Sequence, residues 1–569
     1  MKCIDKVSNV FNVRRSLLVS NVFFVFFVFN VFNVFFVGEA FAQVEGVVEV
    51  ENDFKPTVKD ADKIKTLPDI RQTQASHYDV QYTKTQVPTL NYTFTPMNAA
   101  TSDAPEANPQ MGFVTGAYGT SSDVYARIAA AGHVASDDLL SAEFLIDGFN
   151  TDVDHSFLDD TQWKSRFYSW KGKINYSLAL GSKSSALSPR LLFSLSNHTQ
   201  VFNYWLPAVS SLATDKQHSD HTMFSATLTP WHMGRFAIGA GVNLAFFSQK
   251  YPTTLDSKLR ETLFSLNICP SYSFSDSHKV DIALDWTSVS YNASALGSQQ
   301  PLMVSPHYYY TSDLFSLKLG ATMMCLDGET KFAPDVFASY HVSPSVSLFA
   351  AAEGGAVNQY LSDISLIHPY FTLADGCQTT PAWNQIGGRL GFTYASSLLP
   401  TVSVYAGYDK TESRLEITPA PSSLLPATYS LLPAIQQYDG TNFYISADID
   451  LRYKSLLSLS LKNRWNKWDS DSELPITWRP IIDLDWRAKL SVMENLMIGV
   501  DCTFQTFADE EGYYHRENTF DLGADITYTF FKGLSAYVRG RNLLSQKQDR
   551  YMYYRDRGIS GLVGVAYSF

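Results

Sequence analysis

The chain has 569 residues, of which 45% are hydrophobic, 14% aromatic and only 18% charged, with a formal net charge of −12. That apolar and aromatic content excludes a disordered chain, and the acidic balance excludes a binder of phosphate backbones, so no nucleic-acid partner is expected. After residue 42 no stretch approaches the about 18–20 consecutive apolar residues that a spanning helix needs, so any membrane crossing falls to strands.

In chain order, residues 1–42 read as a signal peptide. Lys2, Lys6, Arg14 and Arg15 give a basic start, residues 16–37 an apolar run in low-complexity Asn-Val-Phe units, and Ala40-Phe41-Ala42 the small-x-small pattern before Gln43. A retained anchor is the alternative, disfavoured by Asn30 and Asn33 inside the run. Residues 43–109 are polar, carry several prolines and mix both signs of charge, which predicts an extended periplasmic arm with little core of its own.

From Gln110 the texture becomes a succession of segments with two-residue periodicity, the signature of strands. Phe520, Leu522, Ala524, Ile526, Tyr528 and Phe530 alternate with Asp521, Gly523, Asp525, Thr527 and Thr529. Phe443, Ile445, Ala447, Ile449, Leu451 and Tyr453 alternate with Tyr444, Ser446, Asp448, Asp450 and Arg452. Ile482, Leu484, Trp486, Ala488 and Leu490 oppose Asp483, Asp485, Arg487 and Lys489, and Val280, Ile282, Leu284 and Trp286 oppose Asp281, Ala283 and Asp285. Charges in every second place of long strands require enclosed water on one side and an apolar medium on the other.

About 22 such segments run from residue 110 to residue 569. Tight connections fall at Phe531–Gly533, Val492–Asn495, Lys454–Ser455, Ser396–Pro400, Val342–Ser345, Ser312–Asp313, Ser275–Ser277 and Gly234, that is, at every second connection. Others, such as 358–383 and 414–437, exceed 20 residues. Short turns on one side and long loops on the other are the pattern of an outer-membrane barrel. Phe274, Tyr340, Tyr394, Tyr453, Phe530 and Phe569 stand where an aromatic girdle belongs. The fold class is all-β, a transmembrane antiparallel barrel over residues 110–569. A propeller or large sandwich is the soluble alternative, but its inner strands would be short or apolar on both faces.

The passage GLSAYVRGRNLLSQKQDRYMYYRDRGISGLVGVAYSF, residues 533–569, resembles the last two strands of a TonB-dependent receptor barrel. A strand leads to Arg541-Asn542-Leu543-Leu544, a Tyr-rich outer loop follows, and the closing strand ends on the aromatic Phe569. The count near 22 agrees with that family. The family places a folded plug inside its barrel, for which residues 43–109 are too few, and no TonB-box-like segment is visible. The arm around DFKPTVKDADKI and LPDI, followed by such a barrel, is similar to plugless receptor-like barrels of Bacteroidota. The resemblance implies a bacterial outer-membrane location, contact with outer-membrane lipids, and a role as the membrane component of a transport or envelope-assembly complex. A surface lipoprotein or a periplasmic protein would be the partner. A self-sufficient diffusion porin and a surface-exposed enzyme are the other readings.

A barrel this wide must be blocked, by residues 43–109, by loops folding inward or by a partner. The inward Asp281, Asp285, Asp448, Asp450, Asp483, Asp485, Asp521 and Asp525, with Arg452, Lys462, Arg464, Arg487 and Lys489, form either a selectivity lining or a hydrated wall with charges paired across strands. His218 and His221 lack a third ligand at metal spacing and read as ordinary histidines. No catalytic triad or phosphate-cradling loop is assignable, so no catalytic, cofactor or metal residue is named and no enzymatic activity is expected. Cys3 leaves with the signal, and of Cys269, Cys325, Cys377 and Cys502 one bridge, Cys325 to Cys377, competes with four unpaired thiols. The loops at 359–376 and 417–437 are unusually apolar, and either dock a partner or fold down into the mouth.

Overall fold

The structure, a computed structural model, describes residues 111–569 except 135–137, 155–161, 182–187, 204–215, 251–257, 294–295, 374–378, 397–399, 419–433, 472–475, 512 and 514. The signal peptide (1–42), the arm (43–109), Cys377 and most of the 417–437 loop lie outside the described residues.

Twenty-two long strands form one antiparallel sheet. They are β1 (Gly112–Gly119), β2 (Val124–His133), β3 (Leu139–Asp154), β4 (Gln162–Ala179), β5 (Arg190–Asn203) and β6 (Lys216–Met233). Next come β7 (Phe236–Lys250), β8 (Lys258–Ser273), β9 (His278–Tyr291), β10 (Leu302–Thr311), β11 (Phe315–Leu326) and β12 (Glu329–Ser343). Then follow β13 (Val346–Val357), β14 (Ala382–Tyr394), β15 (Thr401–Thr418), β16 (Ala434–Tyr453), β17 (Leu457–Ser470) and β18 (Ile482–Met493). The last are β19 (Leu496–Thr506), β20 (Thr519–Phe531), β21 (Leu534–Arg541) and β22 (Ser560–Ser568).

Each strand pairs with its chain neighbours, and β1 pairs with β22 from Phe113 opposite Ser568 to Gly119 opposite Leu562, so the sheet closes on itself and has no edge. The seam is fastened from inside. Tyr537 on β21 lies across Gly564 on β22 and shares a 3.0 Å hydrogen bond with Thr115 on β1. A Cβ at Gly564 would sit 2.4 Å from the Tyr537 ring, so only glycine admits this crossing.

Side-chain phase follows the sequence periodicity. Phe443, Ile445 and Tyr453 are exposed on the outer surface while Tyr444 and Ser446 between them are buried. Phe520, Ile526, Tyr528 and Phe530 face out, as do Val563, Val565, Tyr567 and Phe569. A continuous apolar exterior of this extent is incompatible with water and marks the lipid-facing wall of an outer-membrane barrel. Among the described residues no helix is long and apolar enough to cross a membrane. Phe274, Tyr340, Tyr453, Phe530 and Phe569 stand exposed at the short-turn rim, and Tyr394 is half-buried there.

The tight connections named from the sequence fall on one side of the barrel, with Gly234 (φ 65°) and Gly533 (φ 90°) in left-handed conformation, but not every connection there is tight, because residues 180–189 separate β4 from β5. Two outer connections are also tight: β1 and β2 are joined by Thr120–Asp123, and β11 and β12 turn through Asp327 (φ 51°) and Gly328 (φ 85°), a two-residue hairpin rather than a loop. Cys269, Cys325 and Cys502 are free thiols.

Candidate functional site

Most strands exceed the about 9–11 residues needed to cross the bilayer, and β16 runs for 20. The excess projects on the long-loop side, forming a collar above the apolar band. Inside this collar the outer loops turn inward and meet, and this lid is the candidate functional site.

The first lid segment joins β13 to β14. In QYLSDISLIHPYF, Leu361 and Ile364 are three apart, which puts both on one face of a helix, and Pro369 ends it. The helix, α1 (Leu361–Ile367), buries Leu361 and Ile364 with Phe247 of β7, Phe371, Leu296 and Ile435. Tyr360, its N-cap residue, makes no side-chain cap. The cap comes from the wall instead: Leu361 N–H donates to Glu261 Oε2 of β8 at 2.7 Å and Ser362 Oγ to Glu261 Oε1 at 2.8 Å. Ser365 Oγ donates to Gln249 Oε1 at 2.7 Å, and Gln249 Nε2 to the Pro369 carbonyl at 2.7 Å. Gln359 Nε2 donates to the Ser413 carbonyl at 2.8 Å and its Oε1 accepts from Leu415 N–H at 2.6 Å, reaching β15.

The second segment, 542–559, joins β21 to β22 and carries a small hairpin at Asp549–Tyr551 and Tyr554–Arg555. Met552, Tyr553 and Tyr554 bury themselves with Phe149, Val153, Trp163, Phe167 and Phe202 on the inner collar of β3–β5. The two segments meet where Tyr370 stacks on Tyr554, centroids 3.7 Å apart and planes 8° from parallel. Phe202 and Tyr551 pack edge-on to Tyr370 at 5.1 and 5.6 Å, and His368 to Tyr551 at 5.3 Å. Two further loops join in: the Arg516 guanidinium lies 3.9 Å above Trp478 and 4.0 Å above Phe507, and donates to the Trp478 and Asp549 carbonyls. Arg550 covers Phe167 at 4.7 Å. At the rim Arg557 pairs with Asp123 and Arg479 with Glu416.

Burial sets the charge states here. Glu261, 2% exposed and above the apolar band, has its carboxyl pushed up to about 7 by desolvation, against the pull of the Ser362 and Leu361 hydrogen bonds. His368, fully buried, is pushed down to about 3 by desolvation and stays neutral. Asp363 of α1 is also raised by burial.

The inward charges read from the sequence lie lower, on the lumen wall. Lys462 stands between Asp448 and Asp485, Arg464 opposite Asp483, and Arg487 opposite Asp501, so opposite charges sit in register on adjacent strands. Asp521 accepts from Asn542 N–H at 2.9 Å. Asp281 accepts from His307 Nδ1 at 2.8 Å while His307 Nε2 reaches Asp335 at 2.7 Å, and Lys318 pairs with Asp335 at 2.6 Å. With a carboxylate at each nitrogen, the ring is a doubly donating imidazolium. Asp285, Asp450, Asp525, Arg452 and Lys489 share this inward phase. His218 and His221 are not brought together: His218 is exposed on the outer phase of β6 beside Asp220, and His221 turns inward against Phe247. Among the described residues no group of three metal-ligating side chains converges.

Glu261, α1 and the aromatic junction are not marked by any strong signal in the sequence. Their faint signals were the Leu361/Ile364 spacing before Pro369 and the Tyr551, Tyr553, Tyr554 run.

No family model and no curated protein matches the chain. Solved structures similar to it include a mutant of the ferric enterobactin receptor PfeA from Pseudomonas aeruginosa, with TM-score 0.60 and 10% identity over 80% of each chain. The siderophore receptor PirA from Acinetobacter baumannii is similar at TM-score 0.59 and 10% identity, again over 80% of each. The ferric-catecholate import receptor Fiu from K12 E. coli is similar at 0.55 and 8%, covering 81% of this chain and 82% of that one. At such identities the likeness is one of fold: the chain shares the barrel architecture of TonB-dependent receptors.

Proposed function

We propose that this outer-membrane barrel is the conduit of a transport or envelope-assembly complex, held shut at its outer mouth by its own loops and opened through a partner. The observation that carries the reading is the Tyr370–Tyr554 stack, which ties two loops from distant parts of the collar across the mouth. A lid built of hydrogen bonds and ring contacts, with no covalent link between its two halves, is able to separate and re-form. The chain acts without a cofactor and without catalysis, as a plugless barrel of Bacteroidota type, and its partner is a surface lipoprotein or a periplasmic protein. Exposed Leu366 and Ile367 on the outer turn of α1 place apolar surface where such a partner would pull on the latch.

Extraction of the full-length protein from its native membrane in mild detergent tests this. The expected result is a species heavier than the barrel, carrying a second, stoichiometric chain. Recovery only as a single, partner-free barrel would contradict it and favour a self-sufficient porin.

A further inference from the structure

The lipid-facing wall has a dent. On the outer face of β4–β7 the cross-strand register sets Ile174 beside Leu195, Leu195 beside Phe224, Phe193 beside Ala226 and Ala226 beside Val242. Every position in this grid carries a large side chain except Ala226, so the surface sinks there between the Phe193 and Phe224 rings. The result is a groove of about 330 Å³, within the range of small-molecule sites. It is continuous with the apolar band, so whatever fills it enters from the hydrocarbon phase.

One end of the groove is polar. Tyr176, three residues before the short-turn end of β4, lines it and donates its hydroxyl to Asp138 Oδ2 at 2.8 Å. Asp138 Oδ1 also accepts from Ala179 N–H at 3.0 Å. These two hydrogen bonds hold its carboxyl below the usual carboxylate range, so it is an anion at the membrane edge. The acidic end lies at the periplasmic rim, where inner-leaflet phospholipid headgroups sit.

We propose that this groove is a lipid site, taking one acyl chain of a periplasmic-leaflet phospholipid whose ethanolamine ammonium pairs with Asp138. A chain lying along the Ala226 floor makes dispersion contacts with both rings. An anionic headgroup would be repelled by the Asp138 carboxylate, and the lipid A of the opposite leaflet would enter from the other end.

Native mass spectrometry of the full-length barrel after detergent extraction tests this. About one phosphatidylethanolamine should stay with each barrel. Ala226→Phe, which fills the dent, should lower retention about tenfold. The same change at Ala447, on the outward phase of β16, should leave it unaltered. Asp138→Asn should retain a lipid but lose the preference for phosphatidylethanolamine over phosphatidylglycerol in nanodiscs of equal mixture. Should Ala226→Phe not assemble, Val242→Trp closes the same groove from the next strand and is read identically. No lipid on the wild type, equal retention in the filled variants, or lipid A as the bound species would each overturn the proposal.

Discussion

Glu261 takes the place of a helix cap that the sequence of α1 does not supply. Its raised carboxyl makes the latch depend on pH, with a direction that can be worked out. In the closed lid the group titrates near 7, and in an opened lid it returns to an ordinary value near 4.5. Closure therefore draws its full contribution below about pH 4.5 and loses it as pH rises through 7, a swing of a few kcal/mol at about 1.4 per unit. Asp363 on α1 faces the same carboxyl and pushes in the same direction. Open probability in planar bilayers should rise between pH 5 and 8, and Glu261→Gln, which keeps an acceptor for Leu361 N–H, should flatten that profile. A wild-type profile as flat as that of the variant would remove Glu261 from the latch. Nothing in the sequence separates Glu261 from the other inward carboxylates, because its partners lie 100 and 101 positions further on.

The strands were legible because the bilayer imposes a stricter rule than a soluble core: one phase must be apolar for the whole crossing. The phase read at Phe443–Tyr453 and Phe520–Phe530 is the phase observed, down to the buried Ser446 between two lipid-facing neighbours. Ile445→Arg should therefore cost about 2–4 kcal/mol in urea-induced unfolding from bilayers, while Asp450→Arg, at an exposed position on the lumen-facing phase, should cost under about 1. Equal losses at both positions would mean the wall is not divided this way. The lid was less legible. α1 has only seven residues, and half its apolar surface, Leu366 and Ile367, stays exposed, so its stretch reads as an apolar loop. The Asp327–Gly328 hairpin breaks the expected alternation of long and short connections without altering strand phase.

At the scale of the whole molecule, a wide lumen lined by charges in register is compatible with passage, and a lid anchored on β3–β5, β7–β8 and β15 with passage denied. On the proposed reading the two coexist because the lid is the barrier. The anchoring residues come from separate stretches of the chain: Tyr370 on the loop before β14 and Tyr554 on the loop before β22 are 184 positions apart and in ring contact. No periodicity or motif carries such a pairing, which is why the sequence could offer the arm, the loops and a partner as blocks but could not choose among them. The role expected of residues 43–109 has its own readout, since their deletion should raise leakage only if they seal the lumen as well. The measurement that bears most directly on the central claim is single-channel conductance of the full-length barrel against a variant with residues 360–380 replaced by a Gly/Ser linker. A nearly silent wild type and large, steady conductance steps in the variant are expected. Equal conductance in the two, whether high or low, would contradict that claim.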